Sequence, residues 1–151
     1  MSSIMRIAIG SDHIGYPLKR YLIPFLREMG LEVEDCGTYS RARTDYPVFA
    51  QKVARKITCG DYDRGILICG SGIGMSISAN KIHGIRAVVC SEPYSAVVSR
   101  KHNNSNVLCM GSRVVGEELA EMIVQEWLKA EYEGGRHQGR LDMIHEIEEN
   151  Y

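Results

Sequence analysis

A chain of 151 residues, 44% hydrophobic and 25% charged, fits one domain that buries roughly two thirds of its unfolded surface and needs no staple to fold. Its 18 basic and 19 acidic side chains leave a formal net charge of -1, without the basic excess of a nucleic-acid protein. No apolar run approaches the ~20 residues that cross a bilayer, and the first residues form no secretory leader, so a cytoplasmic protein with no membrane partner is expected.

The first apolar, β-branched run covers residues 4–9 and predicts a buried strand. A helix follows from near Pro17; its spacing buries Leu18, Leu22, Phe25 and Met29, with Pro24 bending it and Gly30 stopping it. A second strand spans 31–33, and a helix opened by Asp45 and Pro47 buries Phe49, Val53 and Ile57. The third strand, 66–69, runs into a glycine loop and a helix. The fourth, 87–90, precedes a helical segment over 93–101, closed by His102. The fifth, 106–110, leads to a helix over 116–129 that buries Leu119, Ile123 and Trp127. Residues 133–140 break the chain with three glycines, and 141–149 read as a short acidic amphipathic helix.

This alternation is that of an α/β fold, a Rossmann-like three-layer α/β/α sandwich on a five-stranded parallel sheet, in one domain over residues 1–151. The added C-terminal helix, within the extension 133–151, suits the neighbouring subunit of a dimer or the surface of its own domain. Five cysteines, Cys36, Cys59, Cys69, Cys90 and Cys109, form no C-x-x-C pair, and their odd number fits reduced thiols that mostly pack as small hydrophobes.

In an open parallel sheet, ligands bind at the carboxyl ends of the strands. The residues there include Asp12 and His13 after the first strand, Gly70, Ser71, Gly72, Ile73 and Gly74 after the third, and Arg113 after the fifth. A glycine loop entering a helix offers backbone N–H groups to an anion, or is simply a tight turn. A dinucleotide fingerprint is the competing reading, with Glu92 near the ribose-binding distance; however, Met75 stands where its third glycine belongs, and the loop follows the third strand instead of the first. Cys69 precedes the loop, where a helix N-terminus suits a thiolate, while Cys90 and Cys109 also end strands and by position alone are buried hydrophobes. His102 ends its helix, where a proton-carrying group is favoured, though a C-cap histidine facing water is the plainer reading. Arg136 and Arg140 stand four apart, as either a phosphate clamp or a solvated basic patch. No two histidines have metal-ligand spacing, so no metal is expected.

Several motifs in order resemble the type B ribose-5-phosphate isomerase family, which includes the galactose-6-phosphate isomerase subunits. They are Arg6-Ile-Ala-Ile-Gly-Ser-Asp-His13, Arg43-Thr-Asp-Tyr-Pro47, Ile66-Leu-Ile-Cys-Gly-Ser-Gly-Ile-Gly74, Ala79-Asn-Lys81, Ile85-Arg-Ala87, His102-Asn103-Asn104, Gly111-Ser-Arg113 and Tyr132-Glu-Gly-Gly-Arg-His137. The resemblance implies that Cys69 moves a proton between C2 and C1 of a sugar phosphate and that His102 assists opening of the furanose ring. It implies an anion hole in residues 70–74 for the enediolate oxygen, sugar contacts at Asp12, His13 and Asn103, a pocket place for Tyr46, and basic contacts at Arg113, Arg136 and Arg140. It also implies a homodimer, sometimes paired into a tetramer, with the site built from both subunits and no cofactor.

Another branch of the family carries a glutamate base where this chain has Met75, which cannot take a proton, and many relatives have threonine at Ser71. Ribose 5-phosphate is the leading substrate; allose 6-phosphate, galactose 6-phosphate and a tetrose phosphate remain open, since one carbon changes discrimination by only ~1–3 kcal/mol. The rival from another class is a Rossmann-type nucleotide-binding module.

Overall fold

The computed structural model describes residues 4–151. Strands β1 (Arg6–Ser11), β2 (Glu32–Asp35), β3 (Arg64–Cys69), β4 (Ala87–Val89) and β5 (Val107–Gly111) pair in parallel, in the order β2-β1-β3-β5-β4. Because successive strand side chains face opposite ways, the buried strands feed two cores. Ile7, Ile9, Ile66, Ile68, Leu108 and Met110 enter one; Ala8, Leu67, Cys69, Val107 and Cys109 enter the other. Helices α1 (Tyr16–Glu28), α4 (Pro93–Asn103) and α5 (Glu117–Lys129) cover the first core, and α2 (Tyr46–Thr58) and α3 (Ile73–Asn80) cover the second. The expected three-layer sandwich follows directly from this two-sided burial.

The central position belongs to β3, which lies between β1 and β5. Strand order departs in opposite directions from the β1/β3 pair, which opens a crevice at their carboxyl ends. The edge strands β2 and β4 run 32–35 and 87–89, slightly displaced from their expected spans, and carry the half-exposed side chains that edges tolerate.

Two local expectations change, and one burial had no counterpart in the sequence reading. Met29 does not join the core: α1 ends at Glu28, and Met29, 37% exposed, caps it before Gly30 takes a φ of +87°. Lys19, on the buried side of α1, is fully enclosed, with its ammonium held by Asp35 and the Thr38 carbonyl. That pairing makes burial of a charge tolerable and fixes the chain after β2. Finally, the C-terminal helix, α6 (Arg136–Asn150), begins earlier than expected. Only Gly134 and Gly135 break the chain, with φ of +64° and +55°. Gly139 lies inside the helix, where a single glycine costs about 1 kcal/mol and the burial of His137 and Leu141 on either side offsets it. The same helix leaves Met143, Ile144 and Ile147 exposed, and Glu148 pins it to its own domain by accepting the Gly84 N–H at 2.9 Å.

No helix among the described residues is long and apolar enough to cross a membrane.

Candidate active site

At the carboxyl edge, β3 delivers Cys69 almost fully buried, and the Gly72 N–H donates to its Sγ at 3.1 Å. Gly72 reaches that position with a φ of +81°, and a Cβ there would stand 2.9 Å from the Met110 carbonyl carbon, so both conformation and space demand glycine. The neighbouring β5 turn holds the loop from outside. Ser112 N–H donates to Cys69 O at 2.9 Å, Arg113 N–H donates to Gly70 O at 3.1 Å, and a Cβ on Gly111 would meet Ser71 Cα at 2.7 Å. The Ser71 hydroxyl accepts from Ile73 N–H at 3.2 Å, closing the entry to α3. Met75, fully buried one turn on, is core and offers no proton acceptor.

An open cleft of about 610 Å3 lies over this loop, floored by Cys69 and Gly70 and flanked by Asp12, Tyr46 and Arg113. Ile73 and Gly74 also line it. Asp12 Oδ1 accepts from Ile14 N–H at 3.0 Å and Gly15 N–H at 2.9 Å, so this carboxylate shapes the β1–α1 turn as it faces the cleft. The Tyr46 ring rests on Gly74: a Cβ there would come within 2.4 Å of Tyr46 Cε1. Arg113 has no carboxylate partner among the described residues, and its guanidinium lies over Gly70. His13 stands beside the cleft, with Nδ1 accepting the Thr44 N–H at 3.2 Å while Thr44 Oγ1 accepts the His13 N–H at 3.2 Å. Reading by residue type passed over Thr44 and Ser112, although both lie within the motif strings.

The remaining candidates lie elsewhere. Helices α4 and α5 start at the carboxyl edge and run back, so His102, Asn103, Arg136 and Arg140 gather at the amino edge, about one strand length (~20 Å) from Cys69. There Glu133 N–H donates to Lys101 O at 3.1 Å, tying the segment before α6 to the end of α4. The His102 ring stacks on His137, centroids 4.3 Å apart and planes 16° apart. Glu133 Oε1 lies 3.8 Å from His102 Nε2 and 3.6 Å from His137 Nε2. Arg136 and Arg140, one turn apart and exposed, have no acidic partner among the described residues.

Linear spacing set no two histidines at ligand distance, yet the fold collects His102, Glu133 and His137 within 4.8 Å. An ion bonded well to imidazole lies in the ring plane, and two stacked, nearly parallel planes share no such point about 2 Å from both nitrogens. As arranged, the cluster is a ring stack with a carboxylate at its edge.

The family described as Ribose/Galactose Isomerase matches residues 7–144. Ribose-5-phosphate isomerase B of Escherichia coli (strain K12) is 60% identical over 144 residues, covering 95% of this chain and 97% of that protein. The solved ribose-5-phosphate isomerase B of Clostridium thermocellum superposes with a TM-score of 0.96 at 54% identity, covering 97% of this chain and 99% of that one. A D-erythrulose-4-phosphate isomerase of Pectobacterium atrosepticum is 44% identical, covering 93% of each.

Proposed function

The chain belongs to the ribose/galactose isomerase family, and on that premise we propose that it interconverts ribose 5-phosphate and ribulose 5-phosphate, as a cytoplasmic homo-oligomer without a cofactor. The observation that carries the mechanism is the Cys69 sulfur under the Gly72 N–H, at the mouth of an open cleft. Ring opening takes a proton from the anomeric hydroxyl, breaks the bond from C1 to the ring oxygen and returns a proton to that oxygen; His102 assists this step. The Cys69 thiolate then removes the C2 proton of the open aldose, giving an enediolate, and returns it to C1 while the hydroxyl proton passes from O2 to O1. Backbone N–H groups of residues 70–74 face the developing oxyanion, and such a donor is worth about 3 kcal/mol. Asp12, His13 and Asn103 hold the sugar hydroxyls, Tyr46 closes the pocket, and Arg113, Arg136 and Arg140 neutralise the phosphate.

These roles require groups from both edges of the sheet, and one chain keeps them a strand length apart. A two-fold dimer meets the requirement, because an isologous contact that brings one copy's carboxyl edge to the other's amino edge does so twice. The exposed Ile73, Ile77 and Val114 around the cleft and the unpaired Arg136 and Arg140 support this arrangement.

The assay is ketose formation from ribose 5-phosphate, with tetrose 4-phosphates and hexose 6-phosphates run alongside. The expected result is the highest kcat/KM for the pentose; a higher value for a tetrose phosphate would reassign the substrate within the same chemistry. Phosphosugars should raise the Tm by mass action whereas NAD and ATP leave it unchanged. Stoichiometric NAD binding would overturn the isomerase reading in favour of a nucleotide module.

A further inference from the structure

The reading of His102 as the ring-opening group leaves open what fixes its imidazole, which is side-chain-exposed and stands at the end of a helix. From the stack and the carboxylate beside it, we infer that His137 and Glu133 are positioning residues for His102. The inference rests on the proposed role of His102 and extends it to two side chains whose part is to hold that ring.

A histidine at an exposed helix end has a broad torsion about its ring bond, so without a neighbour the ring plane wanders. His137 removes that freedom: it is 7% exposed, set in the first turn of α6, and presents its face to His102 at 4.3 Å with only 16° between the planes. Glu133 addresses the edge. Its Oε1 lies between the two Nε2 atoms, at 3.8 and 3.6 Å, beyond hydrogen-bond length but close enough to favour a ring orientation that turns Nε2 towards it. The carboxylate is itself placed by the backbone bond from Glu133 N–H to Lys101 O, next to His102 in the chain. One short segment therefore fixes both the plane and the azimuth of the ring. The two left-handed glycines, Gly134 and Gly135, let the chain turn sharply between Glu133 at the edge of the His102 ring and His137 on its face. Neither residue touches the cleft over Cys69 of its own chain.

The test separates ring opening from proton transfer. Ribulose 5-phosphate has no furanose form, so exchange of its C1 proton with solvent deuterium reports the Cys69 step alone, while steady-state turnover of ribose 5-phosphate includes ring opening. His137→Ala should lower kcat on ribose 5-phosphate about 10–100-fold, the scale of a misplaced catalytic group, with KM within about twofold and C1 exchange within about twofold. His137→Phe, which keeps a flat face under His102, should recover most of the loss. Glu133→Gln should lower kcat in the same direction with exchange again retained. The inference is overturned if His137→Ala turns over ribose 5-phosphate normally, if exchange and turnover fall together in the folded variants, or if the Phe variant is no better than Ala. His102→Asn, run in parallel, tells this failure from a deeper one: if it too leaves ring-form turnover intact, the role given to His102 falls, and this inference with it. Should His137→Ala fail to fold, His137→Phe and Glu133→Gln decide the matter, since loss of exchange in either would overturn the positioning role.

Discussion

At the scale of single residues, five thiols of one chemical type sit in five environments. Burial pushes the Cys90 thiol up to about 11, with Glu92 adding repulsion, and holds Cys109, fully enclosed, well above the ordinary thiol range. Cys36 is likewise raised to about 11, by burial first and the nearby Glu34 second. These three are protonated and inert at neutral pH, while among the described residues only Cys69 carries a backbone N–H on its sulfur, at the floor of the cleft. Cys69→Ala should therefore lower kcat by more than about 10³-fold, the contribution expected of a proton-transfer group, while Tm stays within about 5 °C. Cys90→Ala and Cys109→Ala should keep near-normal kcat; loss of activity in either at an unchanged Tm would contradict the assignment of the base.

The element that matters most is the β3–α3 loop, where two glycines are required for different reasons. Gly72 has a left-handed backbone and abuts the Met110 carbonyl, so Gly72→Ala forces strain and displaces the N–H on Cys69. A loss of about 2 kcal/mol is expected, with Tm falling by about 5 °C and kcat falling with it. Gly74, one residue inside α3, makes room only for the Tyr46 ring, the far end of a half-exposed side chain. Gly74→Ala should leave Tm nearly unchanged, since helix propensity gains about 1 kcal/mol, and raise KM by displacing Tyr46. Thermal unfolding beside kinetics on the two variants checks the contrast; equal loss of stability in both would mean that the ring of Tyr46 is structural.

For the whole molecule, the decisive fact is that α4 carries His102 back to the amino edge of the sheet, opposite the carboxyl edge where Cys69 sits. If the site is completed by a second copy, two dead variants should rescue each other. Cys69→Ala and His102→Asn, each inactive alone, should regain about a quarter of wild-type activity when unfolded and refolded together at equal ratio, because half the dimers are mixed and each mixed dimer has one intact site. A mixture as inactive as its components would place Cys69 and His102 in the same subunit's site and remove the shared-site arrangement.

The order of strands and helices, the two-sided burial of β1, β3 and β5, and the glycine loop behind Cys69 were all legible in the amino-acid sequence. Each is set by near neighbours: a period of two, a helical spacing, or a glycine where no Cβ fits. The start of α6 was misread because a glycine in sequence does not say whether its φ is positive, and Gly139 turned out to be helical beside Gly134 and Gly135, which are not. Burial of Lys19 was hidden as well, since its partner Asp35 comes from another element. The His102–His137 stack, the Glu133 edge and the division of candidate residues between opposite ends of the sheet depend on how far α4 and α5 run back across it and where the chain turns afterwards. Local pattern dictates which face of an element is buried; only packing of whole elements decides which of their ends meet.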